Sequence, residues 1–244
     1  AVELDAYPVG DVGFSTQVFD AADTAAFLER WGATVEAAPR ELTSFLSVVN
    51  QRGATYAQVY SVYAGADTDA AVDALTPLVR VGPLLDQSAQ LVPYHLVVRP
   101  QDAEHDPAGT SSFRAGLVEH ITPAAAAVIE GGLRSRAAGW LQIRSVGGGG
   151  NVVGPMAPAY AHRPQNFAVN AVAARSRTAR LDAFWDELKP HLHGLYLSFE
   201  GDTRPERLAE AFPEPTLTRL RDLKRRYDPD NVFDRNFPIP PAAE

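Results

Sequence analysis

The chain has 244 residues, 45 % hydrophobic and 21 % charged, enough for one large globular domain or two small ones. Thirty acidic residues against 22 basic leave a net charge of −8, which argues against a nucleic-acid partner, and no apolar run nears the roughly 18 residues a membrane span requires. With no cysteine, disulfides, thiolate catalysis, iron–sulfur clusters and cysteine zinc sites are all excluded, while cytoplasm and secretion both stay open for a soluble protein.

In chain order, the opening "AVELDAYPVG" already alternates like a strand and carries no signal peptide, so the chain is expected to begin inside a longer protein. Residues 12–19 predict a strand. Asp20 offers a cap for a helix with Phe27, Trp31 and Val35 at four-residue spacing, stopped by Pro39. Residues 42–49 and 55–65 predict strands, the second with Tyr56, Gln58, Tyr60 and Val62 on one face. Asp67 or Thr68 caps the next helix, with Val72, Leu75 and Val79 on its buried side. Residues 91–98 predict a strand and 101–111 a loop. Thr122-Pro123 opens a helix, since proline suits the first helical position. Strands follow at 139–146, 165–173 and 195–199, and helices at 181–188 and 216–227. Short connections between adjacent strands predict an α+β fold, an antiparallel β-sheet with helices covering one face.

Each site candidate has a plain structural alternative. The glycine run in "SVGGGGNVVGPMAPAYAHR" fits no G-x-G-x-x-G register, and Pro155 and Pro158 block the helix a phosphate loop needs. It reads either as a pocket wall or as a bend. His191 and His193 form an H-x-H pair without a third metal ligand of recognisable spacing, and His162 reads as a buried structural histidine. Tyr196 is either a core tyrosine or a base whose phenol sits near a cation or an electron-poor ring. In the tail, Lys224, Arg225 and Arg226 suit a helix C-terminus, and Asp228-Pro229-Asp230-Asn231 is a turn. Phe233, Phe237 and Ile239 are expected to pin the following loop to the body. Asn231 and Asn236 each add an amide, donor and acceptor together, which suits the edge of a heterocycle.

The tail "LKRRYDPDNVF…N…IPP" resembles the C-terminal signature of FAD-linked oxidases of the berberine bridge enzyme type. "GGGGNVVGPMAPAYAHR" looks like that family's glycine-glycine strand ending in a Phe/Tyr-x-His-Arg element, and "GLYLSFEGD" like its Tyr-x-Asn-Tyr strand. The resemblance implies an oxidoreductase with its flavin held between two domains. Residues 1–215 would be the substrate-binding domain and 216–244 a C-terminal segment that returns to an FAD-binding domain outside this chain. It implies FAD as cofactor, held mainly by that other domain or subunit, and a small-molecule substrate, with no nucleic-acid or membrane partner.

Residue by residue, the resemblance gives Tyr196 the role of the active-site tyrosine that takes a proton from a hydroxyl or amine. It sets Asn231, with Asn236, beside the flavin. Val152 stands where some members carry an acidic base, and Asn151 remains as a polar pocket residue. Ser198 replaces the usual Asn, and Phe199 the frequent Tyr. The leading reading is therefore hydride transfer to flavin with O2 as the final acceptor. One rival is a non-catalytic small-molecule binding module that has lost its flavin domain. The other, a free-standing scavenger of small apolar ligands, explains the sheet but not the tail.

Overall fold

A computed structural model describes residues 3, 9–98, 109–152, 154 and 159–242. Seven strands build one sheet: β1 (Asp11–Asp20), β2 (Leu42–Gln51), β3 (Ala54–Tyr63), β4 (Leu84–Pro93), β5 (Ser111–Val118), β6 (Trp140–Ser145) and β7 (Phe167–Ala174). Their spatial order is β4-β1-β3-β2-β6-β7-β5, and every neighbouring pair is antiparallel. The helices are α1 (Thr24–Glu36), α2 (Thr68–Leu75), α3 (Tyr94–Val97), α4 (Pro123–Arg134), α5 (Thr178–Leu188), α6 (Glu206–Ala211) and α7 (Thr216–Tyr227). The expected α+β class and antiparallel sheet are what the chain adopts.

Two-residue alternation sorts each strand between two unlike faces. Phe19 of β1, Leu46 and Val48 of β2, Val59 of β3, Ile143 of β6 and Val169 of β7 turn to one side. There they meet Phe27, Leu28 and Trp31 of α1, Ile129 and Leu133 of α4, and Phe184 and Leu188 of α5 in a single apolar core. A side chain on Gly132 of α4 would meet the Phe184 ring at 2.4 Å, so glycine is what lets α4 and α5 approach.

Several local expectations are corrected. The strand expected at 91–98 is β4, seven residues earlier at its start; Pro93 has no N–H to extend the ladder, and α3 follows it. β5 was not expected, because Arg114 and Gly116 on its helix-facing side hide the alternation; Arg114 is matched there by Asp182 of α5. Asp23, rather than Asp20, caps α1, accepting from Ala26 N at 3.1 Å. On α2, Leu75 is buried as expected, but Val72 is 55 % exposed and Ala71 and Ala74 are buried instead. A Cβ on Gly13 would lie 2.9 Å from the Ala71 Cβ, so only a small side chain fits between α2 and β1.

The strand expected at 195–199 is instead an irregular segment along the free edge of β5, closing in a 3₁₀ turn over Leu197–Phe199. Backbone bonds join it to β5 only at the ends, through Leu117 N–Gly194 O and His193 N–Leu117 O on one side and Gly201 N–Phe113 O on the other. Between them, two side chains take the strand's place. The Glu200 carboxylate accepts from Ala115 N at 3.1 Å, and Arg207 of α6 donates to Ala115 O at 3.0 Å. The two side chains pair with each other, both nearly fully buried. Gly201 N and Asp202 N supply two further donors to Glu200. Removing one member of such a pair leaves a buried charge without its partner. Arg207→Met is therefore expected to lose about 3–5 kcal/mol in equilibrium urea unfolding. A loss under about 1 kcal/mol would show that the pair does not hold this edge.

Candidate functional site

Among the described residues, the middle of the sheet face opposite the core is bare; at its β5 end Leu195, Leu197, Phe199 and Ala211 pack over Ala115, and at its far end Val12 is buried. Strand register writes three rows of side chains across it. The first is Thr16, Tyr60, Phe45, Arg144, Ala168 and Leu117; the second is Val18, Gln58, Ser47, Gln142, Asn170 and Ala115. The third runs through Tyr56, Val49, Trp140, Val172 and Phe113. Tyr56, Trp140 and Phe113 are exposed large side chains. A face with this much uncovered aromatic surface marks a contact surface or ligand site.

Tyr196 stands at the covered end of that face, 44 % exposed, so it is not a core tyrosine. Its ring packs edge-on to Tyr160 and tilted to Phe199, each with centroids 6.0 Å apart. The Arg144 guanidinium lies 4.1 Å from the Phe199 centroid and 5.2 Å from that of Phe45. Burial pushes the Arg144 pKa down, and the charge of Tyr196 pulls it back up. Burial likewise holds the Tyr160 phenol above its ordinary range, against the opposing charge of Arg163.

The Y-x-H-R element positions this cluster. His162 bonds Ala211 O through Nε2 at 3.1 Å, and Arg163 donates to Gly150 O at 2.8 Å. Gly194 lies flat against the imidazole at φ +107; a Cβ there would be 2.2 Å from Nδ1, so no other residue fits. His162 is thus structural, as expected, and burial pushes its pKa down against the bonds to Ala211 O and Glu210 O. Among the described residues no three His, Asp or Glu side chains are grouped to hold a metal, and no helix is long and apolar enough to cross a membrane.

The other expected site residues are not gathered here. Asn151 and Val152 lie on a 3₁₀ turn, Gly148–Val152, rather than a strand; Asn151 donates to Asn166 Oδ1 at 3.0 Å and Val152 is exposed. Asn231 and Asn236 sit in the tail, at φ +52 and +60. Asparagine tolerates this left-handed conformation, which gives both a backbone reason. Asn231 also leaves its buried Oδ1 without a donor. No described hydrogen bond or ring contact joins either asparagine to Tyr196.

The tail turn is built on Asp228, which accepts from Val232 N at 2.8 Å and Phe233 N at 3.1 Å and pairs with Lys224. That bond from Lys224 holds the Asp228 carboxyl below its usual range. Phe237 and Ile239 are half-buried, but Phe233 is 79 % exposed and does not pack on this chain as expected; Tyr227 is likewise 72 % exposed. Asp228 draws the loop inward by its backbone, and the Phe233 ring is left outside.

Sequence reasoning missed Arg144, Gln142, Asn170 and Tyr160. The signal was present in "WLQIR", where Trp140, Gln142 and Arg144 alternate with Leu141 and Ile143.

Residues 202–240 match the family described as Berberine and berberine like, in agreement with the resemblance of the tail. No curated protein matches the chain in sequence. Among solved structures, a chitooligosaccharide oxidase is similar at 20 % identity and TM-score 0.74, over 96 % of this chain and 56 % of that one. The BBE-like 1 protein of Physcomitrella patens gives 15 % and 0.79, over 96 % and 55 %. A single-residue variant of berberine bridge enzyme gives 16 % and 0.73, over 97 % and 57 %. The chain shares their fold and spans just over half of their length.

Because His162 is held neutral by burial, its protonation favours the unfolded chain. Its contribution to stability is complete above the unfolded value of about 6.5 and falls away as pH drops through the lower folded value. The urea midpoint is expected to fall from pH 7 to pH 5, and His162→Asn to flatten that dependence. An unchanged slope in the variant would remove His162 as its source.

Proposed function

We propose that this chain is the substrate-binding part of an FAD-dependent oxidoreductase that oxidises a hydroxyl or amine of a small molecule, with O2 as the final acceptor. The observation that carries the reading is Tyr196: a half-exposed phenol on the bare face of the sheet, boxed by Tyr160 and Phe199 and within the field of Arg144. The Berberine and berberine-like match of the tail agrees with it.

Tyr196 is the base. It takes the proton from the substrate O–H or N–H. Tyr160, whose proton is held more firmly by burial, acts as a donor to the same substrate atom. Asn151 and Val152 meet the substrate from the 148–152 turn. Bound FAD supplies the hydride acceptor for the substrate carbon.

The chain's residues fit that cofactor. The exposed aromatic face suits a flat ring system, and the unpaired Asn231 Oδ1 suits a ring-edge N–H, with Asn236 alongside. The glycines of 147–150 do not form a phosphate cradle, so the pyrophosphate belongs to an FAD-binding domain or subunit. Tyr227, Val232 and Phe233, all exposed by more than two-thirds, form the surface of the tail that meets that partner.

In the enzyme assembled with its FAD-binding domain, Tyr196→Phe is expected to slow flavin reduction about 10²–10⁴-fold while leaving the melting temperature and substrate affinity near the parent values. Reduction at the parent rate would end the role of Tyr196 as base. Failure of the parent assembly to reduce flavin with any alcohol or amine would favour the non-catalytic binding module. Separately, Phe233→Ser should leave the chain's own melting temperature unchanged but weaken its association with the FAD-binding domain by about tenfold or more in analytical ultracentrifugation. Unaltered association would place the contact elsewhere.

A further inference from the structure

Arg144 occupies the middle of the bare face, and among the described residues no acid answers its charge. In the sheet it lies between Phe45 of β2 and Ala168 of β7. The Phe45 and Phe199 rings both lie against the guanidinium, with centroids 5.2 and 4.1 Å from its carbon. Cation–π contact of this kind uses none of the N–H donors. One donor is used: Nε bonds Gln142 Oε1 at 2.8 Å, which also fixes the rotation of the group. Among the described residues no carboxylate lies within ion-pair distance of it.

Among the described residues Arg163, half-buried like Arg144, also has no carboxylate partner, but it donates to Gly150 O and lies against the Tyr160 ring; the two buried arginines differ from both. Arg114 is matched by Asp182, and Arg207 by Glu200 and Glu210. Beside Arg144, in the adjoining row, Asn170 is 5 % exposed and its Nδ2 has no acceptor. This part of the face therefore holds a buried amide donor without an acceptor beside a cation without an anion. Partial burial makes the unpaired cation costly, as the lowered Arg144 pKa records. A carboxylate laid along the guanidinium edge forms two parallel charge-assisted bonds and answers that cost.

We infer that Arg144 anchors a carboxylate of the substrate, so that the compound oxidised beside Tyr196 is a hydroxylated organic acid, such as a sugar acid, rather than a neutral alcohol or sugar. The inference rests on the reading of the bare face as the substrate side and adds the charge of the substrate to it. A guanidinium has more than one N–H edge, so Arg144 keeps donors for a carboxylate while Nε bonds Gln142.

The test uses the 244-residue chain without flavin, at low salt, with D-glucuronate and its neutral counterpart D-glucuronamide as probes. Binding is read from Trp140, which lies on the same face, by tryptophan fluorescence checked against the Arg144 Nε–H resonance. Glucuronate is expected to bind about tenfold or more tightly than the amide, a difference of about 1.4 kcal/mol or more. The preference should vanish in Arg144→Met and shrink in Arg144→Lys, which keeps the charge but loses the paired edge. It should persist in Tyr196→Phe.

Equal binding of acid and amide, or no saturable binding of the acid, overturns the inference. So does an acid preference that survives in Arg144→Met. If that variant does not fold, an undiminished preference in Arg144→Lys overturns it instead. Loss of the preference in Tyr196→Phe would mean that the phenol reads the charge, and Arg144 would lose the role. Tighter binding of glucose 6-phosphate than of glucuronate would assign the oxyanion to a phosphate ester and overturn the carboxylate. Because no flavin enters these measurements, their failure leaves the oxidation reading standing. Failure of flavin reduction in the assembled enzyme leaves the binding result intact.

Discussion

The Glu200–Arg207 pair at the edge of β5 is the interaction on which the site depends. A sheet edge ends in unpaired N–H and C=O groups, and a chain running past it would ordinarily add another strand. Here the carboxylate of Glu200 takes Ala115 N and the guanidinium of Arg207 takes Ala115 O, so side chains complete the ladder where backbone does not. Freed from strand geometry, residues 195–199 bend into a turn. That bend brings Tyr196 and Phe199 over the bare face, where a regular eighth strand would have continued in the plane of the sheet. The pair is buried and costly to desolvate, and its many hydrogen bonds offset that cost. Its position decides where the phenol stands.

A second constraint is the asymmetry of the sheet. Seven strands have two faces; among the described residues α1, α4 and α5 cover one, and the other is met by α6 only at its β5 end. Phe19, Leu46, Val59 and Ile143 meet α1, α4 and α5, whereas Tyr56, Trp140 and Phe113 are left exposed on the other side. The polar members of the bare face are not scattered. Gln58, Ser47, Gln142 and Asn170 fall in one row across four strands, and Arg144 lies in the next. An apolar wall with a line of amides and a single cation suits a ligand with both flat and polar parts.

The tail shows how one residue type can serve two purposes. Asn231 and Asn236 both adopt left-handed backbone, which accounts for asparagine there without any ligand. Asn231 nevertheless retains a buried acceptor that nothing in the chain fills, and Tyr227, Val232 and Phe233 point away from the body beside it. The turn is rigid because Asp228 gathers two backbone N–H groups and Lys224. A rigid turn with an exposed aromatic crest is organised to meet something beyond this chain.

Most of the fold was legible in the sequence, because strands and helices are local and repeat with fixed periods. The antiparallel α+β class, α1, α2, α4, α5, α7 and five of the strands could be read from apolar spacing and caps such as Thr122 and Asp67. The residue types of the tail, and Tyr196 within it, were legible through the resemblance they carry. β5 was not, because the partner that lets Arg114 sit in the helix layer, Asp182, is 68 residues away. Nor was the cluster around Tyr196: Phe45, Arg144, Tyr160 and Phe199 are separated by up to 154 residues and share no period, and register across three strands with one ion pair brings them together. Sequence by itself determined where most of the elements form. Only the tertiary structure decided which face stays bare and which side chains meet on it, because that choice is made by contacts between residues far apart in the chain.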